Sequence, residues 1–124
     1  MKTAPPPIAL ADLDRDELLQ LLQDRPVYGL RPSDLWSARY DVLERRAKVA
    51  AERREATGDA YYPFMRGVDP STMSKRAWSK LQADREAARK AHEAAERAYR
   101  RAAGARDRAF DALMASYDHR REPA

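Results

Sequence analysis

The sequence predicts an all-α protein, an antiparallel helical hairpin of coiled-coil character with an alanine-rich seam, joined at one end by a short N-terminal helix as a three-helix bundle. Three observations carry this expectation. Ala88, Ala91, Ala95, Ala98, Ala102, Ala105, Ala109 and Ala112 recur at alternating spacings of three and four, the period of helices that pack along a common seam. Trp36, Tyr40, Leu43, Ala47 and Ala50 follow the same alternation earlier in the chain. Capping and breaking residues stand where helices of these lengths should begin and end.

The elements follow in order. Residues 1–12 hold Pro5, Pro6 and Pro7, which favour a short extended arm. A first helix is expected over 14–24: Asp14 and Glu17 form an Asp version of the capping box, and Leu13 is placed to staple onto Leu18. Its apolar payload is Leu18, Leu19, Leu21 and Leu22, and Pro26 ends it. Val27, Tyr28, Gly29 and Leu30 form an apolar link expected to lie against the body. A second helix is expected over 33–57, with Ser33 as its N-cap, Val42 and Val49 flanking its apolar side, and Thr57 and Gly58 as its stop. Residues 59–73 read as a loop rich in aromatic residues. Ser71, Thr72 or Ser74 then caps a third helix over 74–118, with Gly104 as a point of bending and 119–124 as a tail. At 124 residues, the chain suits a single helical domain.

Composition makes the core thin. Of the apolar residues, 24 are alanine, leaving 30 Ile, Leu, Val, Met, Phe, Trp and Tyr. An alanine methyl removes little area from water at roughly 25 cal/mol per Å², so packing onto another protein or a second copy of the chain is an expected source of further burial. The second helix is too short to cover the whole seam, whose last turns carry Phe110, Leu113, Met114 and Tyr117 instead. The leucine-rich first helix is the expected cover there.

The same composition narrows function. Without cysteine there are no disulfides, thiolate metal sites or cysteine nucleophiles. Four glycines and no phosphate-loop pattern give no sign of nucleotide chemistry. His92 reads as a solvated residue among helix charges and His119 lies near a frayed terminus, so no metal, cofactor or catalytic constellation is expected. Residues 1–13 lack the apolar run of a secretory leader, and no stretch matches a membrane span. These readings point to a cytoplasmic, non-enzymatic interaction or structural subunit without a small-molecule substrate, of a composition that suits a GC-rich bacterial or phage genome.

Two surfaces are candidate contacts. Tyr61, Tyr62, Phe64, Met65 and Arg66 gather residue types favoured at protein interfaces within one loop; they either face a partner or fold back to plug the hairpin. The net charge is +4, with 13 Lys or Arg against 8 acids over residues 74–124. Within that excess, Lys90, Arg97, Arg101 and Arg108 fall within about 20° of one line on an ideal helix, suited to nucleic-acid phosphates or an acidic partner. The alternative is a solvated face laced with Glu93, Glu96 and Asp107.

Overall fold

The computed structural model describes residues 6–24 and 30–121, with side chains as far as Tyr117. The start of the proline arm, Val27, Tyr28 and Gly29 of the expected apolar link, the His119 side chain and the tail from 122 lie outside the described residues; Leu30, the described residue of that link, is exposed rather than laid against the body. The described residues form three α-helices, α1 (Arg15–Asp24), α2 (Pro32–Tyr61) and α3 (Lys75–Arg121), with a 3-10 turn at Leu10–Asp12 before α1 and two more, at Tyr62–Met65 and Pro70–Thr72, between α2 and α3; no strand is found among them. The long helices α2 and α3 pack against each other as the expected hairpin.

Each helix start has a local cause. At α1 the capping box is complete: the Glu17 amide donates to Asp14 Oδ1 and the Asp14 amide donates to Glu17 Oε1, both at 2.9 Å. At α2 the cap is Arg31 rather than Ser33. Pro32 takes the first helical position, where its missing N–H is no loss, and Asp34 reaches back to accept from the Arg31 amide at 2.9 Å. Of the three candidates for α3, Ser74 is the cap, its hydroxyl accepting from the Ala77 amide at 3.1 Å. α3 runs unbroken through Gly104, and α2 passes its expected stop at Gly58 to end at Tyr61.

The chain falls into two compact units, one formed by residues 1–47 with 102–124 and the other by 48–101. In the first unit, Leu13, Leu21, Leu35 and Ala38 form one buried cluster and Trp36, Ala109, Ala112 and Leu113 another, with Ile8 packed against both. The Trp36 indole N–H donates to the Pro6 carbonyl at 3.1 Å, pinning the extended segment to α2. Tyr40 meets Phe110 with ring centroids 5.6 Å apart.

α1 is turned contrary to the expectation from its leucines. Leu21 is 6% exposed, whereas Leu18 and Leu19 are exposed and Leu22 is 71% exposed. Leu13 therefore packs on Leu21 and Leu35 rather than stapling to Leu18. Buried in place of the leucines are Glu17 and Gln20. The partners stand on α2: Arg39 Nε donates to Glu17 Oε2 at 2.7 Å while its Nη2 donates to the Asp12 carbonyl, Arg45 donates to Gln20 Oε1, and Arg46 reaches Asp14 and Asp16 at 3.0 Å each. A carboxylate this deeply buried must keep its cation, since removing one partner of a buried pair costs about 3–5 kcal/mol. The amide of Glu17 and the guanidinium of Arg46 hold the Asp14 carboxyl below the usual carboxylate range. Asp41 is shifted the other way, raised by burial and by the charges of Asp24 and Glu44.

In the second unit the seam is kept by Ala95, which is buried, and by the half-buried Ala88 and Ala98, but Ala91 is exposed. His92 takes the inward place beside it. This corrects the reading of His92 as an isolated, solvated residue. Its Nδ1 lies 3.1 Å from Thr57 Oγ1, and its ring meets Tyr61 at 6.1 Å between centroids. The Thr57 hydroxyl is 3.0 Å from the carbonyls of both Arg53 and Arg54, so its one proton is directed at them. On the far side of the ring, Nε2 lies 3.4 Å from Glu96 Oε1. A Cβ at Gly58 would stand 3.2 Å from His92 Cε1. Gly58 is thus helical because the imidazole occupies the room a side chain would need. Further along, the Arg54 guanidinium lies 3.9 Å over the Tyr99 ring, and Val49, expected on the apolar side, is 65% exposed.

Two outcomes follow for stability. Leu21→Ala should lower unfolding free energy by about 2–5 kcal/mol, as for other buried leucines, while Leu22→Ser should stay within about 0.5 kcal/mol of the parent; denaturant titration of both reads the direction α1 faces. Gly58→Ala should stabilise a His92→Ala background by about 1 kcal/mol, the helix-propensity gain, and stabilise the parent clearly less or not at all. Equal gains in both backgrounds would remove the steric role assigned to His92.

Candidate interaction site

The segment from Tyr62 to Ser74 is tied down by its own polar groups. Pro63 begins a 3-10 turn closed by the Arg66 amide donating to the Pro63 carbonyl at 3.4 Å. Asp69 organises the second turn: its carboxylate accepts from the Ser71 amide at 3.0 Å and the Ser71 hydroxyl at 2.8 Å, and its carbonyl accepts from the Thr72 hydroxyl at 2.8 Å. Those donors hold the Asp69 carboxyl below its ordinary range.

The aromatic cluster divides between the two expected alternatives. Tyr61 is the last residue of α2 and is half-buried against His92, and Phe64 is half-buried. Tyr62 is 61% exposed and Met65 63%, with Val68 exposed beside them. Arg66 lies over the Tyr62 ring, 5.9 Å from its centroid.

Between this loop and α3 is an open cleft of about 240 Å³. Phe64, Met65 and Val68 line it from the loop, while Trp78, Leu81 and Arg85 line it from the helix. The helical three stand at i, i+3 and i+7, one stripe of α3. These were missed as site residues. The signal was in the chain as a Trp, Leu and Arg stripe just after a loop cap, but only the turn-back of the chain at 62–74 sets it against Phe64. The cleft walls carry no acid, histidine, cysteine, serine or threonine side chain.

The expected basic residues are distributed over the two units. Lys90, Arg97 and Arg101 belong to the second and are exposed. The acids expected to lace them face other groups: Glu93 pairs with Arg89, Glu96 lies 4.0 Å from Arg100 and 3.4 Å from the His92 imidazole, and Asp107 pairs with Arg106. Among the described residues Lys90, Arg97 and Arg101 form no ion pair, although the Lys90 charge helps Arg89 hold the Glu86 carboxyl low. Arg108 belongs to the first unit, where it lines a groove of about 320 Å³ with Trp36, Arg39 and Leu43. No described group of three or more acids and histidines is arranged to hold a metal ion, and no helix of the described residues is long and apolar enough to cross a membrane.

Compared with known proteins, the chain matches no protein-family model, no curated protein and no solved structure.

Proposed function

We propose that this chain is a non-enzymatic interaction subunit that presents the cleft between the 62–74 loop and α3 to a partner protein. One observation carries the reading: Met65 and Val68 stand open to solvent in the lining of a cleft shared with Phe64, Trp78 and Leu81, and Tyr62, next to them in the chain, is exposed as well. Aromatic, Met and Arg side chains are enriched where proteins meet. The cleft walls supply no nucleophile and no general acid or base, which favours binding over chemistry. A chain without cysteine suits a reducing compartment such as the cytoplasm.

A photo-crosslinking side chain at position 62 or 65 should label a partner in cells of the native host. The same group at position 49, equally exposed on α2, should label nothing in common with it. Tyr62→Ser with Met65→Ser should abolish capture with helicity and melting unchanged. Identical labelling from 49 and 62 would overturn the assignment.

A second reading is favoured by the unpaired cations of α3: sequence-independent nucleic-acid binding through Lys90, Arg97 and Arg101. Each phosphate contact contributes about 0.7–0.9 to the log–log dependence of affinity on salt. The Lys90→Gln, Arg97→Gln, Arg101→Gln triple variant should therefore reduce the measured slope by about 2–3. A slope unchanged by the triple variant would remove this reading.

A further inference from the structure

We infer that the cleft accepts a single large apolar side chain carried on an acidic peptide segment of the partner. The inference rests on the reading of this cleft as a protein contact and specifies its chemistry.

Size sets the first limit. A space of about 240 Å³ lies below the roughly 300–1,000 Å³ of sites built for cofactors and small ligands. An open space of that size takes one bulky side chain. Phe64, Trp78 and Leu81 offer such a group apolar contact, with Gln82 beside them in the lining.

Charge sets the second. From Tyr62 to Arg85 the chain carries Arg66, Lys75, Arg76, Lys80 and Arg85 against only Asp69 and Asp84. All five cations are exposed and none forms an ion pair among the described residues. The Asp69 carboxylate is turned to Ser71, where two donors occupy it. Arg66 and Arg85 stand in the walls of the cleft itself, within reach of carboxylates flanking an inserted side chain. Arginine is the residue that holds a carboxylate with two parallel hydrogen bonds. An apolar anchor between acidic neighbours satisfies floor and rim together. A single nucleic-acid strand would meet the rim with its phosphates and the aromatic floor with a base, and is therefore the competing ligand in the test.

The test uses the full chain and a labelled twelve-residue peptide of Asp and Glu with one central Phe. Two companion peptides carry Lys flanks or a central Gly. The readout is the two tryptophan indole N–H resonances, assigned by Trp36→Phe, together with fluorescence polarisation. The acidic Phe peptide should shift the Trp78 resonance and leave Trp36 in place. Its affinity should fall at least tenfold with the central Gly and at least fivefold with Arg66→Gln and Arg85→Gln combined. Equal binding of the Lys-flanked peptide would overturn the acidic specificity while leaving the cleft as a protein contact. Tighter binding of a twelve-nucleotide strand, lost in the same double variant, would overturn the peptide assignment in favour of nucleic acid. No movement of Trp78 at millimolar acidic peptide would overturn the inference, and crosslinking from position 62 then reports separately on the proposed function.

Discussion

Methyl groups line most of the surface by which α3 meets α2, and a methyl buries too little area to hold two helices together unaided. The hairpin is accordingly closed by specific groups set among the alanines: Trp36 and Leu113 in one unit, His92 and Tyr99 in the other. Where alanine lets the backbones approach, a single larger side chain has an outsized effect on its surroundings. Gly58 is the clearest case, since a single added carbon there would stand only 3.2 Å from the imidazole across from it.

The shortage of large apolar residues also explains the use of charge. α1 has four leucines and buries only one of them among its core contacts, while its acidic and amide side chains answer three arginines of α2. Glu17 serves two purposes with one carboxylate, accepting from the Asp14 amide to start its own helix and from Arg39 to attach it. Hydrophobic patterning predicts which face a helix buries when apolar area decides; here the buried face carries a carboxylate–guanidinium pair, and loss of either partner alone would be costly.

The cleft follows from the same economy. A loop that supplies its own hydrogen bonds through Asp69, Ser71 and Thr72 does not need to sink into a core. Its apolar side chains are then divided, Phe64 toward α3 and Tyr62 and Met65 toward solvent. The exposed cations around it, which form no ion pair among the described residues, give that surface a positive sign.

Local chemistry made much of this legible in the sequence. The helical periods, the Asp14–Glu17 capping box, the Ser74 cap among its alternatives and the unusual content of the 61–66 segment all depend on groups within a few residues of one another. What the sequence could not decide were matters of partnership over long separations. Arg39 lies 22 residues from Glu17, His92 lies 35 from Thr57, and Trp78 joins Phe64 only after the chain has turned. The direction α1 faces, the helical state of Gly58, the choice of acids that leaves Lys90, Arg97 and Arg101 unpaired, and the floor of the cleft were decided by tertiary structure, because each is a competition between side chains that only folding brings within reach.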